Sequence, residues 1–392
     1  MSYARKIVII GGGIAGAAAA EAARKQDPLA QITVLSKDSR LPYYRLRICE
    51  ILDNPAVAGQ LELHPAAWYT EHGITVLLET EAVQINPKNQ TIELTAGPAI
   101  PYDALILATG SESFVPPIPG IDRPGVYTLW TVADALQVEE ALRQAKHALV
   151  IGGGMLGLEA AYRISRKGTA TTVVEKLPRL LANQLDESGS EIFANHVREC
   201  GISVVTSGDI VSIGGIDGFK QSPVSHVRMA DGTTIDADFI LVSIGVHANT
   251  GLAGPAGIAT GKRIRTDKTM RTSVAGIYAA GDAADPDDFW YGLWSVSRAQ
   301  GLIAGTNAAG GDSLFDGTIP PYVINTMDTR VAVLGDKGML SEPAYKVDVL
   351  MDVDSGNYRK LVYREGILCG FILVGDTHDF SKLQKEIGKS PA

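Results

Sequence analysis

Residues 6–16 read KIVIIGGGIAG, and residues 148–157 read ALVIGGGMLG. In both stretches a short run of β-branched and aliphatic residues ends at a glycine, and an alanine-containing helical pattern follows. This order of strand, glycine turn and helix opens a dinucleotide-binding βαβ unit. One such motif alone is a weak signal, but two copies, each in the correct context, predict two bound dinucleotides.

Each copy contains three glycines with different physical tasks. The first permits a tight turn, the second lets the backbone approach a pyrophosphate, and the third lets the helix pack closely on the sheet. In that order they are Gly11, Gly13 and Gly16, then Gly152, Gly154 and Gly157. The free N–H groups of the following helix attract phosphate. In the first copy these groups belong to the segment that contains Ile14 and Ala15.

Composition narrows the class of protein. The 392 residues, 45% hydrophobic and 20% charged with 42 glycines, are typical of an α/β enzyme of two or three domains. A net charge of −9 argues against nucleic-acid binding. Since no apolar stretch approaches 18 residues and the first strand begins at once, we expect no membrane span, no signal peptide and a cytoplasmic location.

The cysteines bear on redox chemistry. Cys49, Cys200 and Cys369 are odd in number, far apart, and without the spacing of a metal site or a CxxC pair. They predict a reducing compartment, no metal and no redox-active dithiol.

The hydrophobic pattern predicts an α/β fold with two Rossmann-like domains and a small C-terminal α+β domain. We expect one nucleotide domain from residues 1–112 and 243–310, a second from 113–242, and the C-terminal domain from 311–392. Strands of the first are expected at 6–10, 31–35, 102–110 and 276–282, with a hairpin within 74–94 and a helix at 300–309. Those of the second are expected at 148–151, 170–174, 202–206, 226–229, 234–235 and 239–245. The last domain should have strands at 345–353, 358–363 and 367–374 and a helix at 380–387.

The end of the second strand of each unit is where a carboxylate binds a ribose. In the second unit Glu175 lies 18 positions after the third glycine, which favours NADH over NADPH because a 2′-phosphate would meet like charge. In the first unit this position is Ser36, so Asp38 is the candidate, with a solvated loop acid as the alternative. Residues 41–52, LPYYRLRICEIL, set Arg45 beside an apolar helical pattern, and its guanidinium suits a pyrophosphate.

Four separated signatures, GGGIAG, ILATG, GGGMLGLE and GIYAAGDAA, begin at Gly11, Ile106, Gly152 and Gly276. With them, residues 5–310 resemble the pyridine nucleotide-disulfide oxidoreductase family in its form without the disulfide. The resemblance implies that the first unit binds FAD and the second binds NADH.

The resemblance also implies roles for residues in and near these signatures. It places Asp282 at the ribityl chain of the flavin and Glu159 toward its nicotinamide side. Trp294 would flank the isoalloxazine, with core packing as the alternative. The remaining residues implied at the cofactors are Ala108, Thr109, Gly110 and Gly281 for FAD and Gly245 for NAD.

Residues 42–52, 291–310, 320–330 and 371–385 resemble NADH:rubredoxin oxidoreductases and, less completely, the FAD/NAD part of nitrite reductase large subunits. The resemblance therefore implies hydride transfer from NADH to FAD and then one-electron transfer to a small carrier protein such as rubredoxin, in a monomer or homodimer. The chain departs from the family at Ser36, where an acid is common, and at Ala248, where many members have proline.

Three other functions remain open at this point. Cys49 near the flavin would make the chain a single-cysteine NADH oxidase, peroxidase or CoA-disulfide reductase. Without further cysteines for a sirohaem and iron–sulfur pair, it would be only the FAD/NAD component of a nitrite reductase. A redox-sensing protein would bind FAD and NAD with negligible turnover.

Overall fold

The computed structural model describes residues 4–217, 221–286, 290–317, 320–338 and 345–389. The α-helices in these ranges are α1 (Ile14–Gln26), α2 (Ala66–Glu71), α3 (Val132–Leu142), α4 (Met155–Arg166), α5 (Glu187–Glu199), α6 (Trp294–Ala308) and α7 (Phe380–Glu386). Shorter 3₁₀ helices cover Arg45–Leu52, Pro55–Gln60 and Gly281–Ala283.

The strands up to the middle of the chain are β1 (Lys6–Ile10), β2 (Gln31–Leu35), β3 (Ile74–Leu77), β4 (Ala82–Asn86), β5 (Thr91–Leu94), β6 (Ile100–Pro101), β7 (Ala104–Leu107), β8 (Ser111–Ser113), β9 (Val126–Thr128), β10 (His147–Ile151), β11 (Ala170–Val174), β12 (Ile202–Val205) and β13 (Ile210–Gly215). The later strands are β14 (Val224–Met229), β15 (Thr234–Asp236), β16 (Phe239–Val242), β17 (Val246–Ala248), β18 (Ile264–Thr266), β19 (Ile277–Ala279), β20 (Ala284–Pro286), β21 (Tyr322–Thr326), β22 (Thr329–Gly335), β23 (Tyr345–Asp352), β24 (Asn357–Arg364) and β25 (Ile367–Val374).

The chain divides into two compact units. Unit 1 contains Met1–Leu46, Gly59–Glu112 and Val246–Thr318, and unit 2 contains Arg47–Ala58, Ser113–Gly245 and Ile319–Ala392. Each unit holds one of the two glycine turns.

Unit 1 is built on a parallel sheet with strand order β19-β7-β1-β2-β3. β1 lies in the middle, with Lys6 opposite Gln31 of β2 and Ile7 opposite Ala104 of β7. Because β1 continues to β2 on one side while β7 lies on the other, the strand order reverses beside β1, which is where open α/β sheets bind ligands. The turn at residues 11–13 lies at this point.

Helices α1 and α6 pack together on one face of this sheet. A Cβ added to Gly305 would lie 2.1 Å from the Ala19 carbonyl oxygen, and one added to Gly301 would lie 2.2 Å from that of Ala15. Glycine at these positions therefore lets α6 approach the α1 backbone directly. The helix that we expected to begin or continue at 300–309 is α6, which starts at Trp294 and ends at Ala308.

Unit 2 repeats this arrangement with the parallel order β12-β11-β10-β16-β9 and an antiparallel sheet of β13, β14 and β15. Ala148 of β10 lies opposite Thr171 of β11 and Phe239 of β16, which puts the second glycine turn at the same place in the sheet order as the first. The predicted α/β class with two Rossmann-like folds is confirmed.

The C-terminal part of unit 2 is an antiparallel sheet with strand order β21-β22-β25-β24-β23, packed against α7. The three predicted strands are confirmed within about one residue at each end. Strands β21 and β22 were not predicted from the sequence. The apolar helix predicted within 41–52 is a 3₁₀ helix over Arg45–Leu52 in the structure.

A buried ion pair joins this sheet to α5. Asp186 caps α5 by accepting the Gly189 N–H at 3.0 Å, and its Oδ2 accepts the Lys360 ammonium and the Tyr358 hydroxyl, each at 2.7 Å. Burial raises the pKa of Asp186, but the hydrogen bonds from Lys360, Tyr358 and the Gly189 N–H, together with the positive charge of Lys360, outweigh burial and lower the pKa overall. Lys360 is only 6% exposed, so loss of this partner would leave a buried ammonium group without a counter-charge.

Asp186→Asn should therefore lower the free energy of unfolding at neutral pH by about 3–5 kcal/mol, since the cap acceptor stays but a buried ammonium loses its counter-charge. Urea unfolding measures this loss. The double variant Asp186→Asn with Lys360→Met should recover most of it. Because the folded-state pKa of Asp186 is lowered, its contribution is present above the unfolded-state pKa and fades as pH falls through the folded-state pKa. A difference from wild type that does not shrink in strong acid would contradict this account.

Candidate functional site

The first glycine turn has no room for side chains at two positions. A Cβ on Gly11 would lie 2.0 Å from the Ala108 carbonyl oxygen, and one on Gly16 would lie 1.9 Å from the Gly11 carbonyl oxygen. Gly11 also has φ of +123°, a conformation that side-chain-bearing residues rarely adopt. These contacts hold the turn against the end of β7 and hold α1 against the turn.

The start of α1 is open, in contrast to the turn before it. Gly13 is the N-cap residue without a side-chain cap, and no atom lies within 4 Å of a Cβ added there. The first turn of the helix, which begins at Ile14 and Ala15, carries no acidic residue. Uncapped N–H groups facing open space at a helix N terminus suit a phosphate.

The second turn repeats this geometry in unit 2. A Cβ on Gly152 would lie 2.1 Å from the Ser243 carbonyl oxygen, and one on Gly157 would lie 2.5 Å from the Gly152 carbonyl oxygen. Gly154 is again an N-cap without a side-chain partner and has open space at its Cβ position. Nearby, Gly245 has φ of +113° with open space at its Cβ position.

Glu175, at the end of β11, is bound to the second turn. Its Oε2 accepts the Gly153 N–H at 2.6 Å and its Oε1 accepts the Leu177 N–H at 2.7 Å. Both carboxylate oxygens keep lone pairs for further donors. The structure thus places the predicted ribose-binding carboxylate directly at the glycine turn.

In unit 1 the corresponding residue is Ser36, which is 3% exposed and so close to the turn that a Cβ on Gly12 would lie 2.6 Å from its Oγ. Asp38 follows in the loop, where its N–H donates to the Ser36 Oγ at 3.2 Å. The Tyr43 hydroxyl donates to Asp38 Oδ2 at 3.1 Å. Asp38 therefore lies two residues beyond Ser36, half-buried and held by its neighbours.

Thr109 and Gly110 follow Ala108 at the end of β7 and are held by Asn249. The Thr109 hydroxyl donates to the Asn249 carbonyl at 2.6 Å, and the Asn249 side-chain amide donates to the Thr109 carbonyl at 3.1 Å. The Asn249 N–H donates to the Gly110 carbonyl at 2.9 Å. A residue 140 positions from Thr109 in sequence thus fixes the predicted cofactor loop.

Asp282 is positioned by two serines. The Ser111 hydroxyl donates to Asp282 Oδ2 at 2.7 Å, and the Ser297 hydroxyl lies 3.4 Å from Oδ1. The preceding Gly281 donates its N–H to the Gln300 side-chain carbonyl at 2.8 Å. A Cβ on Gly281 would lie 2.9 Å from the Ala15 Cβ, so the last signature packs on the first turn of α1.

Trp294 begins α6 and stacks on Tyr44, with ring centroids 5.7 Å apart and planes at 21°. Its indole Nε1 is buried, and it has no hydrogen-bond partner within the described ranges. A buried indole N–H usually has an acceptor. Arg45, the next residue after Tyr44, begins the 3₁₀ helix and is half-buried.

Glu159 lies on the second turn of α4 in a cluster of charges. Arg163, one helical turn later, lies 3.3 Å from Glu159 Oε1 and 3.2 Å from Asp53 Oδ2. Burial raises the pKa of Glu159, and the positive charge of Arg163 offsets part of that rise. Arg163 therefore links Glu159 to Asp53, the residue that directly follows the 3₁₀ helix containing Cys49.

Cys49 is 2% exposed, and its Sγ lies 4.0 Å from the Leu156 carbonyl of α4. Burial first, and then the negative charge of Glu159, hold the pKa of this thiol well above its usual value. A thiol in such surroundings stays protonated and is a poor nucleophile.

Several positioning residues were not predicted from the sequence: Ser111, Arg163, Asn249, Ser297 and Gln300. The contact of Arg163 with Glu159 could have been predicted, because a cation four residues after a carboxylate on a helix forms an i,i+4 pair. The others contact residues far away in sequence, so no local sequence pattern indicates them.

In the described ranges no helix combines the length and apolar character needed to cross a bilayer, and no group of three His, Cys, Asp or Glu side chains is arranged for a metal.

Residues 5–301 match the family model described as pyridine nucleotide-disulphide oxidoreductase, and residues 325–390 match the rubredoxin NAD⁺ reductase C-terminal domain. The chain is 28% identical to NADH-rubredoxin oxidoreductase of Clostridium acetobutylicum, over 98% of this chain and 95% of that protein. It is 30% identical to nitrite reductase [NAD(P)H] of Bacillus subtilis, over 97% of this chain but 47% of that protein. The crystal structure of a ferredoxin reductase from Rhodopseudomonas palustris superposes with a TM-score of 0.88 at 25% identity, covering 97% of this chain and 94% of that one.

The chain therefore belongs to the pyridine nucleotide-disulphide oxidoreductase family, as its sequence motifs predicted. FAD and NADH, the two predicted cofactors, are those of this family. The chain spans about half the length of several curated relatives that it matches, among them two nitrite reductases and an assimilatory nitrate reductase electron transfer subunit.

The buried, protonated state of Cys49 predicts slow alkylation. Iodoacetamide at mildly alkaline pH should modify Cys49 at least about tenfold more slowly in the folded protein than in urea, since each unit of pKa elevation removes about nine-tenths of the thiolate. Peptide mass spectrometry measures the rate, with the half-buried Cys200 and Cys369 as internal controls. Native Cys49 reacting faster than a free thiol would show a thiolate and favour the cysteine-dependent activities.

Proposed function

We propose that the chain is an FAD-dependent reductase that takes electrons from NADH and passes them to a small one-electron carrier protein such as rubredoxin. Residues 1–112 and 243–310 would bind FAD, residues 113–242 would bind NADH, and residues 311–392 would form the C-terminal domain. The observation that carries the proposal is the pair of equivalent glycine turns, of which only the second has a carboxylate at its strand end. The proposal places the protein in the cytoplasm, where its separated free thiols stay reduced.

The residues of unit 1 fit FAD. The open space beside Gly13 and the uncapped start of α1 suit its pyrophosphate. The Asp282 carboxylate, oriented by Ser111, can accept hydroxyl groups of the ribityl chain. The indole N–H of Trp294 lacks an acceptor among the described residues, as expected of a group that binds a ligand.

The other residues assigned to FAD are Gly11, Ile14, Ala15, Gly16, Asp38, Arg45, Ala108, Thr109, Gly110 and Gly281. When bound, FAD accepts hydride from NADH and releases the electrons one at a time to an acceptor. The task of the protein is therefore to position the rings and exclude water, so no general base is required.

In unit 2 the open space at Gly154 would admit the NADH pyrophosphate, while Glu175 would accept the adenosine ribose hydroxyls. Gly245, with open space at its Cβ position, would pass close to the nicotinamide half. Glu159 would contact the nicotinamide side and would be held in place by Arg163. The other residues assigned to NADH are Gly152 and Gly157.

The choice of carrier rests on the C-terminal stretch. Residues 325–390 match the rubredoxin NAD⁺ reductase C-terminal domain, and the NADH-rubredoxin oxidoreductase of Clostridium acetobutylicum aligns along nearly its whole length. A second candidate is the electron-input part of a nitrite-reducing system, which the 30–31% identity to nitrite reductases favours.

Steady-state NADH oxidation with rubredoxin, ferricyanide, nitrite, peroxide, CoA disulfide and oxygen tests the proposal. We expect the highest kcat/KM with rubredoxin, and Cys49→Ser should retain it within about threefold, a change below about 0.7 kcal/mol. Preference for peroxide or CoA disulfide that disappears in Cys49→Ser would contradict the proposal. Negligible turnover with every acceptor would instead support a redox sensor.

The two open glycines allow a matched pair of variants. Gly13→Ala and Gly154→Ala introduce no contact with protein atoms other than those of adjacent residues, and both change an N-cap glycine, so a difference between the two variants reports on the ligands. Gly13→Ala should lose bound FAD on purification, whereas Gly154→Ala should keep FAD and raise the KM for NADH about tenfold or more. Flavin absorbance and steady-state kinetics measure these effects. Equal flavin loss in both variants would contradict the assignment of the two sites.

Glu175→Ala should lower the preference for NADH over NADPH. A hydrogen bond to a charged group contributes about 1.5–3 kcal/mol, which is about 10- to 150-fold in kcat/KM. Glu175 also accepts the Gly153 N–H, so its loss can weaken the binding of NADH and of NADPH equally. The informative quantity is therefore the ratio of kcat/KM for NADH to kcat/KM for NADPH. The exposed Glu140→Ala serves as the control, and an unchanged ratio in Glu175→Ala would show that this carboxylate does not bind the ribose.

A further inference from the structure

Arg163 of α4 bridges two carboxylates that lie on different segments of unit 2. Its NH2 group donates to Glu159 Oε1 at 3.3 Å, and its NH1 group donates to Asp53 Oδ2 at 3.2 Å. The side chains of Arg163, Asp53 and Glu159 are only 27%, 24% and 22% exposed. Charges with so little access to water remain ionised only when they are paired.

The other ionisable groups that face Glu159 belong to the segment around the 3₁₀ helix over Arg45–Leu52. They are the carboxylates of Glu50 and Asp53 and the buried thiol of Cys49. Glu50 already has a partner in Arg47, which donates to both of its oxygens at 2.9 and 2.8 Å. Arg163 is therefore the cation that pairs with Glu159 in a group of acids.

The balance of these effects decides the charge of Glu159. Burial raises the pKa of Glu159, the charge and hydrogen bond of Arg163 lower it, and the charges of Glu50 and Asp53 raise it further. Without Arg163 the carboxyl group would lose its only opposing influence in this cluster and would take up a proton more readily. An ionised carboxylate accepts hydrogen bonds without donating any, so the proton would also change which ligand groups Glu159 can bind.

An arginine suits this place for a geometric reason. The planar guanidinium can hold one carboxylate on each of its two terminal nitrogens, whereas the compact ammonium of a lysine cannot fix both. The Nε of Arg163 is buried and has no hydrogen-bond partner among the described residues. A buried donor without a partner lowers stability, so packing alone does not account for an arginine here.

We propose that Arg163, anchored by Asp53, is a positioning residue that keeps Glu159 a fixed anion beside the nicotinamide ring of NADH. This role rests on the proposed function, in which NADH gives hydride to FAD and becomes NAD⁺. The hydride carries one proton and two electrons to FAD, so Glu159 exchanges no proton. The nicotinamide ring gains a positive charge in that step, and a fixed anion beside it stabilises the transition state.

The rate constant of flavin reduction by NADH tests this role when it is measured by stopped flow across the pH range in which the protein is stable. In wild type it should fall at low pH, as Glu159 is protonated. Arg163→Met should move this fall to higher pH by about one unit or more, since a neighbouring opposite charge shifts a carboxyl pKa by that amount. Arg163→Lys keeps the charge, and its profile should stay close to that of wild type.

Asp53→Asn should give a shift of the opposite sign. Asparagine keeps an oxygen for the Arg163 NH1 group but removes a negative charge, so the fall should move to lower pH. A loss of packing would not move the two profiles in opposite directions. The matched control is Arg166→Met, because Arg166 is exposed on the same helix and donates to the Tyr162 hydroxyl instead. Its profile should match that of wild type.

Infrared titration of the flavin-bound protein without NADH gives a second readout. At neutral pH the band of a protonated carboxyl group should appear in Arg163→Met and should be absent when Glu159→Gln is added. Absence of this band from Arg163→Met, or its persistence in the double variant, would overturn the proposal.

The kinetic outcomes separate this inference from the function on which it rests. Profiles that stay in place in both Arg163→Met and Asp53→Asn, with normal reduction by NADH, would contradict the role of Arg163 alone. If NADH fails to reduce the flavin of wild type, the proposed function and this role fall together. Should Arg163→Met not fold, the shift to lower pH in Asp53→Asn decides the question, and no shift there would overturn the proposal.

Discussion

The contact that the rest of the structure depends on is between each glycine turn and the neighbouring strand end. The turn after β1 comes so close to Ala108 that a Cβ on Gly11 would lie 2.0 Å from its carbonyl oxygen, and Gly152 has the same relation to Ser243 at 2.1 Å. Since no side chain fits at that distance, the backbone itself fills the crevice at the end of the sheet. The helix N terminus that follows is then left uncapped and open. Two such openings in one chain, in separate units, are the physical basis for a protein that binds two dinucleotides.

The residues around the two open helix N termini differ, and this difference distinguishes the proposed FAD site from the proposed NADH site. In unit 2 the strand end carries Glu175, bound to the glycine turn through the Gly153 N–H, whereas in unit 1 the small Ser36 occupies that place. Around Cys49, burial and the charge of Glu159 hold the thiol protonated. A redox thiol must instead be a thiolate, which positive neighbours would favour. The cluster thus favours transfer of electrons from flavin directly to an external carrier over transfer through sulfur.

Structural features that depend on a local residue pattern could be predicted from the sequence. Features that depend on distant partners or on unusual turns could not. The glycine turns and the position of Glu175 follow from spacing alone. Strands β21 and β22 were not predicted because their hairpin turn is Met327-Asp328, both with positive φ, and lacks the Asn-Gly or Asp-Gly that indicates such a turn. In the 3₁₀ helix over 45–52 the buried residues are Ile48, Cys49, Ile51 and Leu52, a spacing that fits an α-helix equally well, so the sequence pattern did not distinguish the two. The contacts of Asn249 with Thr109 and of Ser111 with Asp282 join residues more than a hundred positions apart, so no sequence window contains them.

The central claim is that the flavin is the sole redox group between NADH and the carrier. Anaerobic titration of the purified protein with NADH, followed by flavin absorbance and by the amount of NADH consumed, tests it most directly. Full bleaching with one equivalent of NADH per FAD, and no further uptake, is the predicted result. Consumption of a second equivalent that is lost in Cys49→Ser would contradict the claim, because it would show that the thiol stores electrons.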